Sequence, residues 1–170
     1  MKMLAFIILY GFTVIINSDK FNEYQSGNQV LKNGMEVSWK YNNDRIYFEI
    51  QAPTEGWVTI GFNSNDGMAG CYLLMGRVKN GNVEVVEHYT QRPGDYSPIS
   101  KYDVTAQVAD PKGKEESDLT NISFSLPLKA ISKYQKDLFP NSEYIMVLAY
   151  SIDDDFQHHS IMRTSIKVKL

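Results

Sequence analysis

The chain has 170 residues, 17 Lys+Arg against 20 Asp+Glu, a formal net charge of −3 and 43% hydrophobic residues. That balance lacks the strongly basic footprint of a nucleic-acid binder, and the length suits one domain with a real core. Cys71 is the single cysteine, so no intrachain disulfide forms, and a chain of this size needs neither disulfides nor metals to hold it together.

Lys2 is the only charge before an apolar run from Met3 to Ile16, and Asn17-Ser18 then opens into Asp19-Lys20. Residues 1–18 read as a secretory signal peptide, the run being short for a membrane span of roughly 20 residues. Cleavage after Ser18 would leave 152 residues and, with Lys2 lost, a net charge of −4. The expected organisation is therefore a leader over 1–18, a polar lead-in over 19–33 and one domain over 34–170. The expected location is secreted or periplasmic, with membrane contact only through an uncleaved leader.

Met35–Tyr41 and Arg45–Gln51 alternate with period 2 around Asn42-Asn43-Asp44 and predict a hairpin. Trp57–Phe62 alternates likewise. Cys71–Lys79 and Asn82–Gln91 flank Asn80-Gly81, the pair a tight type I′ turn prefers because both positions tolerate positive φ. Arg92–Asp118 shifts to Pro, Gly, Ser and charge, predicting a surface excursion with an edge strand at Val104–Val108. Leu119–Leu126 resumes the alternation, and Lys129–Phe139 is the one plausible helix, stopped by Pro140. Glu143–Ile152 is a nearly continuous apolar run, as for a central strand buried on both faces, and Ile161–Leu170 alternates again. Many short strands with hardly any helix predict an all-β sandwich.

The stretch from Gly56 to Gly76, GWVTIGFNSNDGMAGCYLLMG, sets a single methionine, Met68, on a bendable loop between two strands, away from the periodic segments where core methionines sit. His158 and His159 lie between the turn Asp153-Asp154-Asp155 and the last strand. Adjacent residues on a strand point to opposite faces, so at most one of the two faces inward. The ordinary readings are a solvated acidic turn, a buried packing thiol at Cys71, and a surface or rim position for His88. Nucleophile-elbow, zinc-protease, phosphate-loop and dinucleotide motifs are absent, which speaks against dedicated catalysis, and the lack of Cys-x-x-Cys-His excludes covalently attached haem.

Gly56-Trp57, Gly61-Phe62, Gly67-Met68, Gly70 and Gly76 together resemble the DOMON domain family. The late pattern is similar too: Ala149-Tyr150, an acidic turn, then His159 four residues before Arg163, with Phe124–Leu128 resembling the family's apolar strand ending in Pro-Leu. The resemblance covers roughly Gly34 to Leu170 and implies an immunoglobulin-like antiparallel β-sandwich. It further implies a non-covalent haem b between Met68 and His159, with His158 as the reserve ligand. Trp57, Phe62, Tyr72, Leu74 and Tyr150 are the expected apolar walls. With both axial positions filled by protein, such a group suits one-electron transfer or redox sensing with an unidentified partner. The alternative implied by the same family is a module without haem that binds a small ligand, such as a sugar. A third possibility is copper held by Met68 and the histidines.

Overall fold

The computed structural model describes Tyr24, Gln25 and residues 27–170. The expected leader lies outside the described residues, as do residues 19–23 and 26 of the lead-in. In chain order the strands are β1 (Tyr24–Gln25), β2 (Gln29–Lys32), β3 (Met35–Asn42), β4 (Arg45–Ala52), β5 (Val58–Asn63), β6 (Tyr72–Lys79), β7 (Asn82–Arg92), β8 (Asp95–Pro98), β9 (Ala109–Glu116), β10 (Leu119–Pro127), β11 (Glu143–Tyr150) and β12 (Met162–Lys169). They form two six-stranded sheets, ordered β1-β2-β3-β4-β10-β9 and β12-β11-β5-β6-β7-β8. Every pairing is antiparallel. This is the expected all-β sandwich. The Asn80-Gly81 turn has φ of 52° and 75°, both in the left-handed region that the type I′ geometry demands.

Alternation sends one face of each sheet into a shared core, where Val37, Phe48, Ile50, Phe124 and Leu126 of the first sheet meet Ile60, Phe62, Tyr72, Leu74 and Leu148 of the second. The Phe48 ring lies 5.5 Å from that of Phe62 and 5.8 Å from that of Phe124, within the range of favourable aromatic pairs. The second sheet is buried on its other face as well. There Trp57, Cys71, Leu73, Met75, Val147, Ala149 and Phe156 form a separate apolar layer. All six residues of β5 and the first five of β6 are consequently buried, which gives the continuous apolar runs in the sequence a structural cause.

Two expected elements differ. Residues 129–139 form no helix, because local side chains capture the amides that a helix would use. Ala130 N donates to Asp137 Oδ1 (2.8 Å) and Tyr134 N to Ser132 Oγ (3.2 Å), while Leu138 N bonds Leu128 O (2.7 Å). The only helical turn among the described residues is the 3-10 turn Ile99–Tyr102. Residues 104–108 are likewise not a strand: Gln107 N and Val108 N both donate to the Glu87 carboxylate, leaving them unavailable to a ladder. The excursion instead carries two edge strands, β8 on the second sheet and β9 on the first, and the edge position of β9 tolerates Pro111. Glu87 is 1% exposed and also accepts from Tyr72 Oη (2.7 Å) and Gln135 Nε2 (2.8 Å), so one buried carboxylate ties two long loops to the second sheet.

Candidate functional site

A cleft of about 130 Å³ opens on the outer face of the second sheet. Its floor is built by register. Thr59 of β5 pairs with Met75 of β6 and Ala149 of β11, and Gly61 pairs with Leu73 and Val147, so these side chains share one face. Gly61 is required there: a Cβ would meet Leu73 Cδ2 at 2.5 Å and Cys71 Sγ at 2.9 Å. Trp57 and Thr90 complete the floor, while Met68, Tyr96, His159 and Arg163 form the walls. A second cavity of about 340 Å³ adjoins it and shares Met68, Val147 and Arg163.

The Met68 loop is held by one side chain that the sequence reading missed. Asn63, 3% exposed at the end of β5, donates through Nδ2 to Gly67 O and Ala69 O, each at 3.0 Å, and accepts from Ser64 N at 2.9 Å. Gly67 and Gly70 adopt φ of 99° and 80°, conformations that glycine reaches without strain. Gly70 N then bonds Thr90 O (2.8 Å) and Cys71 N bonds Met68 O (3.1 Å). Met68 is left half-buried against the Trp57–Cys71 layer.

His159 arrives on a differently anchored arm. Gly56 lets the 151–153 backbone lie directly on the chain, since a Cβ there would sit 2.4 Å from Asp153 N and 2.6 Å from Ser151 O. Trp57 and this arm exchange backbone bonds, Trp57 N to Asp153 O (3.1 Å) and Ser151 N to Trp57 O (2.9 Å). The acidic turn caps itself: Asp155 N bonds Asp153 Oδ1 (2.7 Å) and Gln157 N bonds Asp155 Oδ1 (3.0 Å). Arg77 secures it by donating to Asp154 O (2.6 Å) and stacking its guanidinium 4.3 Å from the Phe156 ring centroid.

Met68, His159 and Trp57 thus line one cleft although they lie far apart in sequence. His158 does not line it: its Nδ1 is 2.9 Å from Ser151 Oγ. Four expected walls fall on the other face. Phe62, Tyr72 and Leu74 are buried in the core between the sheets, and Tyr150 packs against that same core. Their place is taken by Leu73, Met75, Val147 and Ala149, the neighbours of opposite parity. His88 is corrected too. It is 1% exposed, its Nδ1 lies 3.1 Å from Val86 O, and its ring meets those of Tyr96 (5.7 Å) and Phe156 (5.8 Å). Burial lowers its pKa and favours the neutral ring. Cys71 is fully buried, as expected, and burial pushes its thiol up to about 12 against the opposing charge of Lys136. Among the described residues no three His, Cys, Asp or Glu side chains gather where they could hold a metal ion, which leaves the copper reading without a fuller ligand set.

Comparison with known proteins gives a consistent outcome. The family model described as "DOMON domain" matches residues 31–151, spanning Met68 and ending before His159. MOXD1 homolog 2 of Drosophila melanogaster is 33% identical over 69 residues, 41% of this chain and 9% of that protein. DBH-like monooxygenase protein 1 of Mus musculus is 24% identical over 138 residues, 79% of this chain and 22% of that protein. The chain therefore spans less than a quarter of either relative. Among solved structures, the cytochrome b domain of pyranose dehydrogenase from Coprinopsis cinerea aligns with a TM-score of 0.60 over 79% of this chain and 76% of that one, at 10% identity, a likeness of fold. With the family match running from β2 through β11 across both sheets, the chain belongs to the DOMON domain family.

Proposed function

We propose that this domain is an exported carrier or sensor that binds haem b in the outer cleft of the second sheet, where Met68 and His159 would hold the iron. The observation that carries the reading is that these two side chains, a thioether and an imidazole, line one cleft over an apolar floor. The donor set fits haem iron, and Leu73, Met75, Val147 and Ala149 supply the dry surface a macrocycle needs. Volume is the stricter test. Alone, about 130 Å³ falls below the roughly 300–1,000 Å³ of ligand pockets, but the adjoining 340 Å³ brings the combined space into that range. Met68, Val147 and Arg163 line both spaces, and of these an unbranched thioether and an exposed arginine can swing aside. When bound, a His/Met-ligated haem supplies reversible one-electron exchange. The protein's part is to fix Met68 through Asn63, to carry His159 on the Gly56-docked arm, and to exclude water from the floor. The expected function is exchange with a separate redox partner.

Titrating the domain with haem tests this. Binding should shift the Soret band and give sharp α and β bands on reduction. Met68→Ala should keep the haem with one axial position open, His159→Ala should lose most of it, and His158→Ala should change little. Absence of a Soret shift in the wild type, or haem loss in His158→Ala with His159→Ala unaffected, overturns the assignment.

A second reading is a small polar ligand, such as a sugar, in the same cleft. It is favoured by Trp57 Nε1 and Thr90 Oγ1, both buried without a hydrogen-bond partner in residues that line the cleft. Sugar titration monitored by Trp fluorescence distinguishes it.

A further inference from the structure

Arg163 is the only Lys, Arg, Asp or Glu among the described residues lining the cleft and its adjoining cavity. Among the described residues no carboxylate lines either space, although the chain as a whole is acidic. Its guanidinium makes no hydrogen bond or ion pair with any described residue, whereas Arg45, Arg77 and Arg92 are each engaged. Its place on that face follows from register: Arg163 of β12 pairs with Ala149 of β11, and Ser165 pairs with Val147, so both emerge on the side of the sheet that holds the cleft floor. An uncompensated five-donor fork at the mouth of an apolar cleft, with the hydroxyl-bearing Ser160 and Ser165 among the lining residues, is suited to a planar acid.

We propose that Arg163 is an anchor for a carboxylate carried by the cleft's ligand, and hence that the ligand is an apolar body with at least one acidic edge. The inference rests on the haem reading above, under which the carboxylate is a propionate. Arg163 would then hold the acidic edge of the bound group, a role distinct from that of Met68 and His159, which would hold the iron, and it would discriminate against neutral ligands of the same shape. As the side chain is exposed at the mouth, the discrimination should sit at the modest end for a charge-assisted bond, about tenfold in Kd.

The test is a comparison of haem with haem dimethyl ester, in which both carboxylates are capped, on the wild-type protein, Arg163→Gln and Arg163→Lys, with Kd read from the Soret band. The wild type should bind haem about tenfold more tightly than the ester. Arg163→Gln should bind both with equal affinity, and Arg163→Lys should recover part of the preference as a point charge without the fork. Because Arg163 is exposed on an edge strand, the variants should melt with the wild type. Equal binding of haem and ester by the wild type, or a preference retained in Arg163→Gln, overturns the Arg163 assignment while leaving the haem reading intact. Binding of neither by the wild type overturns the haem reading and this inference with it.

Discussion

Replacing Asn63 by Ala should loosen the Met68 loop while sparing the core. The side chain makes three hydrogen bonds, two donated to Gly67 O and Ala69 O and one accepted from Ser64 N. At about 0.5–1.5 kcal/mol net for each, their loss ranges from roughly 1.5 to 4.5 kcal/mol. Gly67 and Ala69 are exposed, so their freed carbonyls are hydrated, and the lower part of that range applies, about 2 kcal/mol. The cost falls on local opening, because β5 keeps its ladder through Asn63 to Ile145 of β11. Hydrogen exchange at Ser64, Gly70 and Cys71 should then quicken about 30-fold, at one decade per roughly 1.4 kcal/mol, with Phe48 and Ile50 nearly unchanged. Asn63→Asp is the sharper variant. It keeps an acceptor for Ser64 N but loses both donors and turns a carboxylate oxygen toward the two carbonyls, so it should loosen the loop at least as much. Haem affinity should fall in both through the displaced Met68. Unchanged exchange at Ser64, Gly70 and Cys71, or an equal loss at Phe48 and Ile50, would refute the clamp and reduce Asn63 to a packing residue.

Gly56→Ala should be severe, since the new Cβ meets backbone atoms of residues 151–153 that cannot give way without breaking the Trp57–Ser151 and Trp57–Asp153 bonds. A cost of about 3 kcal/mol corresponds to a melting point lower by roughly 6–12 °C, and an unaltered melt would contradict the close approach. His88 predicts a pH effect whose sign follows from its burial. The native ring resists protonation, so below the ordinary value of 6.5 the unfolded chain takes up more protons. Its contribution to stability is complete above that value and is lost as pH falls toward the lowered native pKa. Urea midpoints between pH 7.5 and 5 should drop for the wild type and drop less for His88→Leu, and parallel curves would exclude His88 as the cause.

The sequence alone was sufficient wherever local physics decides. Period-2 alternation marked most of the strands, Asn80-Gly81 marked a type I′ turn, and Gly67 to Gly70 around Met68 marked a presented loop. Parity against the cleft was not legible. Because β5, β6 and β11 are largely buried on both faces, their alternation carries no polar side to point outward, and Phe62, Tyr72 and Tyr150 looked as suitable as Leu73, Met75, Val147 and Ala149. Only the pairing register and the second apolar layer tell these two sets apart. His88 was misleading for a related reason. A polar residue in a strand ordinarily faces water, and here Tyr96 and Phe156 close over His88, while segments around Gln107 and Gln135 close over its neighbour Glu87 on the opposite face. The missing helix over 129–139 belongs with them, its amides taken by side chains and by Leu128 once the chain folds back on itself. Hydrogen bonds and burial that join distant segments depend on the three-dimensional path of the chain, and no pattern among neighbouring residues records that path.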